Sequence, residues 1–125
     1  MKKTVMTIED SASLRQVIRE ILEEAGYNVI EARHGEAALT YLNGKSVHII
    51  LCDLNMPVMD GYEFLKILKT DPKYEAYKNV PVIILTTETD KLNKEKTKTL
   101  GAYGWISKPF DPISLRKIVD QHAGA

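Results

Sequence analysis

Five short, mostly apolar runs recur along the chain, and a stretch of helical character follows each one. Thr4 to Ile8 (TVMTI), Asn28 to Ala32 (NVIEA), Val47 to Cys52 (VHIILC), Pro81 to Leu85 (PVIIL) and Tyr103 to Ile106 (YGWI) read as strands. The strongest are nearly continuous β-branched runs, the pattern expected where both faces of a sheet are covered. After the first run, Leu14, Val17, Ile18, Ile21, Leu22 and Ala25 fall at helical spacing and form one apolar stripe, which Gly26 ends. A second helix is predicted from Gly35 to Leu42, before Asn43-Gly44, and a third from Gly61 to Lys69, before Asp71-Pro72. The fourth, from Asp90 to Leu100, is the weakest, with mainly Leu92 and Leu100 as large apolar anchors. The last runs from Asp111 to His122, with Leu115, Ile118 and Val119 facing inward. Strands that alternate with helices in this way imply a parallel sheet with right-handed crossovers and helices on both faces, a doubly wound α/β domain. Ligands of such sheets sit outside the carboxyl ends of the strands, near the switch point of strand order.

Composition narrows the function classes. A chain of 125 residues fits one domain, 1–125, with no separate output domain, so its output is expected from its own surface. Seventeen basic residues balance seventeen acidic ones, which leaves no net field to draw the chain to nucleic acid or anionic lipid. The single cysteine, Cys52, excludes an internal disulfide framework and a multi-cysteine zinc site, and fits a reducing cytoplasm. The apolar run after Met1-Lys2-Lys3 is too short for a signal peptide and ends in Glu9-Asp10, and no stretch is long enough to span a bilayer. A cytoplasmic location is expected.

The strand ends carry Glu9 and Asp10 after strand 1, Asp53 after strand 3, Thr86 after strand 4 and Lys108 after strand 5. Each alone has an ordinary reading. Asp10 or Ser11 could cap the first helix, Thr86 could end a strand, and Lys108 could be a solvated loop lysine. Asp53 is harder to explain that way, because Gly61 lies too far downstream for Asp53 to cap the third helix. The fold predicts that all five side chains converge on one edge. Three carboxylates brought together there repel unless a cation sits among them, and oxygen-only ligation suits Mg²⁺. With Lys108 and Thr86 to receive phosphoryl oxygens, the set supplies what phosphoryl transfer to an aspartate needs.

These residues, in this order, give the chain its resemblance to the response-regulator receiver domains of two-component signalling, most closely the single-domain chemotaxis (CheY-like) type. It rests on Glu9-Asp10-Ser11, on Asp53-Leu54-Asn55-Met56-Pro57-Val58-Met59-Asp60-Gly61, on Thr86 and on Lys108-Pro109-Phe110, and it covers essentially the whole chain. The resemblance implies a flavodoxin-like (βα)5 three-layer sandwich with strand order 2-1-3-4-5. It makes Asp53 the phosphoacceptor, and it makes Glu9, Asp10, Asp53 and the backbone carbonyl of Asn55 the ligands of Mg²⁺, with manganese as an alternative. Thr86 resembles the switch hydroxyl and Lys108 the lysine that contacts the phosphoryl group, with a cis bond expected between Lys108 and Pro109. The implied partners are a sensor histidine kinase as phosphodonor and a downstream target or phosphatase. The implied state is a monomer, with phosphorylation-dependent dimerisation left open. Such a protein is a switch and not a multiple-turnover enzyme.

Three positions depart from the family pattern. Glu9 stands where aspartate is commoner, so its longer side chain is expected to reach the metal through water. Thr87 replaces a small residue after the switch threonine and is expected to narrow access. Trp105 takes the place of the switch tyrosine or phenylalanine; it is either simple edge-strand packing or an indole that rotates inward when Thr86 moves. Asn55, Glu88 and Thr87 resemble the positions at which the family tunes loss of the phosphoryl group. Cys52 reads as a buried core thiol, and His34, His48 and His122 as a loop, a strand and a helix-end residue without ligand spacing. The lysines at 91, 94, 96 and 98 read as a solvated helix face. Other readings stay open: a receiver in a phosphorelay other than chemotaxis, an aspartate-nucleophile phosphatase, and an interaction domain that is never phosphorylated. An aspartate-nucleophile phosphatase would need a general acid where Asn55 stands. A dinucleotide-binding module is disfavoured by the absence of G-x-G-x-x-G after strand 1.

Overall fold

The structure, a computed structural model, describes residues 2–54, 56, 58–87 and 91–123, with 91–93 described at the backbone. Asn55 and Glu88, singled out above, lie outside the described residues, as does Asp90, the expected start of the fourth helix. Strands β1 (Thr4–Ile8), β2 (Asn28–Ala32), β3 (Ile49–Asp53), β4 (Val82–Thr86) and β5 (Gly104–Ser107) alternate with helices α1 (Ala12–Glu24), α2 (Gly35–Tyr41), α3 (Gly61–Thr70), α4 (Lys91–Thr99) and α5 (Pro112–His122). All four strand pairings are parallel, in the order β2-β1-β3-β4-β5. The expected flavodoxin-like architecture is therefore the one adopted.

The sheet divides the core in two. On one side Met6, Ile8, Ile50, Cys52 and Ile84 pack with Ala38 of α2 and Phe64, Leu65 and Leu68 of α3. On the other, Val5, Ile49, Leu51, Ile83 and Leu85 pack with Ile18 and Leu22 of α1 and Leu115 and Val119 of α5. Strands β3 and β4 are buried along their whole length, which is why their sequences do not alternate. Cys52 is buried and its burial pushes the thiol pKa up, so it stays a protonated core residue.

Several boundaries differ from expectation for local reasons. Strand β3 starts at Ile49, two residues later than Val47, because His48 turns its Nδ1 to accept from the Thr4 amide (3.0 Å). Strand β4 starts after Pro81, whose carbonyl accepts from Ile50 (2.9 Å) but which has no N–H to give. Asp53 and Thr86 are the last residues of their strands and not the first beyond them. Val17, assigned to the apolar stripe of α1, is 45% exposed, and only Ile18 and Leu22 of that helix are fully buried. His34 does more than occupy a loop, since its Nδ1 caps α2 by accepting from Ala37 (3.0 Å).

A 3-10 segment, Pro72–Tyr77, was not predicted. It buries Tyr74 and Tyr77, and the Tyr77 hydroxyl accepts from the Gly44 amide (2.9 Å) and donates to the Lys45 carbonyl (2.7 Å). That bridge fixes the α2–β3 connection. Among the described residues, no helix is long and apolar enough to cross a membrane.

Candidate phosphoacceptor site

Strand order reverses between β1 and β3, since β1 pairs with β2 on one edge and with β3 on the other. The acidic residues sit at the carboxyl ends of these two strands, where the fold opens a crevice. Glu9 directly follows β1, and its amide is held by the Ala32 carbonyl (3.0 Å). Ser11 caps α1 by accepting from Leu14 (3.3 Å), so Asp10 is spared that task and stays exposed. One carboxylate oxygen from each of Glu9, Asp10 and Asp53 falls within 4.8 Å of the others.

Glu9 is 1% exposed and Asp53 4%. Lys108 reaches both: Nζ lies 3.1 Å from Asp53 Oδ2 and is hydrogen-bonded to Glu9 Oε1. The other oxygen of Glu9 accepts from the Ser11 amide (3.0 Å). Burial works against the Lys108 ammonium, yet the joint pull of Glu9 and Asp53 outweighs it and holds its pKa above the ordinary lysine value. Burial also raises the Glu9 carboxyl above its ordinary value, with Asp10 and Asp53 adding to the rise and Lys108 and the Ser11 amide opposing it. Glu9 is thus paired directly with the lysine, and its extra methylene is used for that contact.

Backbone contacts keep the surrounding pieces in place. The Leu54 amide donates to the Leu85 carbonyl (3.1 Å) and the Lys108 amide to the Thr86 carbonyl (2.8 Å), so the ends of β3, β4 and β5 are tied in series. The Lys108–Pro109 peptide is cis. Asp60 caps α3 by accepting from Glu63 (2.8 Å), and the Gly61 amide returns to the Leu54 carbonyl (3.0 Å). Between them Val58 has φ 70°, a left-handed value that is strained for a β-branched residue.

Thr86 is 3% exposed, and by strand alternation it shares a face with Ile84, the register partner of Trp105. Thr87 is exposed and lines an open apolar cleft with Leu14, Val17, Lys108, Pro109 and Phe110. The indole of Trp105 is partly buried against the α2–α3 side of the core, and its Nε1 donates to Thr97 Oγ1 (2.8 Å). Thr97 was missed by sequence reading. It lies in a run of lysines and threonines, and only the packing of α4 shows that it faces inward.

A family profile described as the response regulator receiver domain matches residues 5–120. The chain belongs to the response regulator receiver domain family. This receiver is 38% identical to the chemotaxis protein CheY4 of Vibrio cholerae, with a TM-score of 0.89 over 98% of this chain and 99% of that one. It is 25% identical, with a TM-score of 0.86 over the full length of both chains, to the receiver domain of a sensor histidine kinase from Pseudomonas aeruginosa, whose structure has a magnesium ion coordinated in the active-site cleft. It is also 36% identical over 120 residues to the probable transcriptional regulator ycf29 of Pyropia yezoensis. That alignment spans 96% of this chain but 53% of the relative, so the receiver covers about half the length of its curated relative.

Proposed function

We propose that this receiver is a phosphorylation switch in which Asp53 takes a phosphoryl group from a histidine kinase. The observation that carries this reading is a nine-tenths-buried Asp53 carboxylate held by Lys108 beside two further acidic groups. A buried nucleophile whose counter-ion is already in place needs little reorganisation when charge develops around it.

Glu9, Asp10, Asp53 and the carbonyl of Asn55 would hold Mg²⁺. The donor set fits, since three hard oxygen ligands lie within 4.8 Å of one another and their charges need a cation. When bound, the ion offsets negative charge on the phosphoryl oxygens. In the transfer itself an Asp53 carboxylate oxygen bonds to phosphorus as the phosphorus–nitrogen bond of the donor phosphohistidine breaks, and the imidazole leaves with the bonding pair. Lys108 exchanges its Asp53 contact for a phosphoryl oxygen while keeping Glu9, and the Thr86 hydroxyl donates to another.

The altered state would be read at the surface formed by α4, β5 and α5, through Thr86 and Trp105. Likeness to the chemotaxis protein CheY4 over nearly the whole of both chains favours a role for this receiver in chemotaxis. Thr87, which shares a cleft with Lys108, would with Asn55 and Glu88 set how quickly the phosphoryl group is lost. A buried free thiol at Cys52 fits the cytoplasm.

Incubating wild type and Asp53→Ala with a small acyl phosphate, with and without Mg²⁺, and reading intact mass tests this directly. One phosphoryl adduct is expected on wild type with Mg²⁺ alone. An adduct on both proteins, or one that forms equally well without metal, contradicts the assignment.

A further inference from the structure

Trp105 is the only tryptophan of the chain, and its ring nitrogen is engaged by a residue of the neighbouring helix. Nε1 donates to Thr97 Oγ1 at 2.8 Å, while the same hydroxyl donates to the Lys94 carbonyl at 3.1 Å. Both directions are fixed by chemistry. An indole N–H can only donate, and the hydroxyl proton goes to Lys94, so a hydroxyl lone pair receives the indole. Phenylalanine offers no donor there, and tyrosine carries its hydroxyl at the far end of the ring.

Thr97 is 1% exposed and is the one buried side chain among those described on α4. Lys96, Lys98 and Thr99 are exposed, and Leu100 beyond the helix is only partly buried. Among its described side chains, helix α4 therefore shows no apolar stripe like those that seat α1 and α3. Its buried attachment, among the described side chains, is polar and ends on β5. Trp105 in turn lies opposite Ile84 in the β4–β5 register, and Thr86 follows two residues on along the same face. Indole and switch hydroxyl are thus diagonal neighbours on adjacent strands, within reach of a side chain of this size.

We propose that the Trp105–Thr97 hydrogen bond is a latch that ties α4 to β5 in the unphosphorylated receiver and is released when Asp53 is phosphorylated. The inference rests on the function proposed above. Movement of Thr86 toward the phosphoryl group opens space on the face that it shares with Trp105. An indole that enters this space withdraws Nε1 from Thr97, and α4 loses its buried polar attachment. The presented surface then changes through the whole helix and not through one side chain. A buried bond of this kind biases a two-state equilibrium by about 2- to 10-fold.

A single tryptophan gives one indole N–H resonance in ¹⁵N-labelled protein, so the bond can be followed alone. In wild type that proton is expected to be protected from exchange. Addition of Mg²⁺ and acyl phosphate is expected to move the resonance and speed its exchange by about fivefold or more, in step with the adduct seen by intact mass. Thr97→Val keeps the side-chain shape but can neither accept nor donate. Its unphosphorylated resonance is expected to lie toward the phosphorylated wild-type position, with α4 amides exchanging faster, and Thr97→Ser is expected to restore the wild-type behaviour. A Thr97→Val resonance with wild-type shift and exchange would overturn the latch. So would a fully phosphorylated wild type whose indole is unchanged. If no adduct forms, the Asp53 assignment fails, and mass reports that separately from the indole signal. Should Thr97→Val not fold, Trp105→Phe removes the donor from the other side. Wild-type protection of the α4 amides in that variant would equally overturn the proposal.

Discussion

Lys108 lies between two buried carboxylates, and the third acid of the cluster is treated differently by the fold. Glu9 has a lysine and a backbone amide, and Asp53 has the lysine, whereas Asp10 is exposed at the rim. In the absence of a cation Asp10 adds repulsion to a crowded site; with one, it is a ligand. Asp10→Asn should therefore raise the melting temperature of the metal-free protein by about 2–4 °C and remove most of the rise that Mg²⁺ gives wild type. Thermal melts with and without Mg²⁺ check both halves, and a lower metal-free melting temperature would contradict the repulsion argument. The residue types of this site were legible in the sequence because carboxylates, a hydroxyl and a lysine at strand ends have few other joint uses. Which carboxylate the lysine would choose was not legible. That choice depends on the position of β5 relative to β1, from which β3 and β4 separate it in the sheet.

At the scale of elements, helix α3 and the end of β3 are pressed together behind Asp53. A Cβ built on Gly61 would lie 2.4 Å from the Asp53 carbonyl oxygen and 2.9 Å from the Leu54 Cα. Both neighbours are backbone and cannot step aside as a flexible side chain could. Gly61→Ala should cost about 1–3 kcal/mol in urea denaturation, by forcing the β3–α3 connection outward. It should also slow adduct formation on Asp53, because the displaced backbone is that of the nucleophile. An unchanged urea midpoint would show that the helix can shift without cost. The sequence marked Gly61 only as the start of a helix, since a close backbone approach has no one-dimensional signature. Strands and helices themselves were readable to within a few residues, because burial on both faces of β3 and β4 demands unbroken apolar runs. Val17 was misread because periodicity identifies a stripe but not how much of it the neighbouring layer covers.

Contacts between distant parts of the chain close the whole molecule. Lys3 Nζ donates to the Ala123 carbonyl (2.8 Å), which fastens the chain's beginning to the end of α5. Tyr27, 7% exposed, is hydrogen-bonded through its hydroxyl to Asp120 on α5, whose other carboxylate oxygen lies 3.7 Å from Arg116. Burial, and then the carboxylate, push the Tyr27 hydroxyl up to about 12. The unfolded chain releases this proton near pH 10, as an ordinary tyrosine does. The folded state retains it longer, so this stabilisation is fully present below about pH 10 and fades as pH rises toward about 12. Tyr27→Phe should lose about 1 kcal/mol at neutral pH and fall less steeply than wild type in that alkaline window, so that the two converge. Denaturation midpoints measured from pH 7 upward check this, and parallel curves would assign the stability to packing alone.

The sequence by itself determined the alternation of elements, the fold class and the five polar residues at the strand ends. These depend on local periodicity and on residue chemistry, which a chain carries wherever it folds. Tertiary structure alone decided the pairing of Glu9 with Lys108, the backbone pressed against Gly61, the Tyr77 bridge and the Trp105–Thr97 bond. Each joins residues from separate elements, and a hydrogen bond or a close approach depends on relative positions within a few tenths of an ångström. Helix α4 shows the difference most clearly. Its lysines and threonines give almost no apolar signal, and Thr97, the buried one among its described side chains, became identifiable only when the helix was placed against the indole of β5.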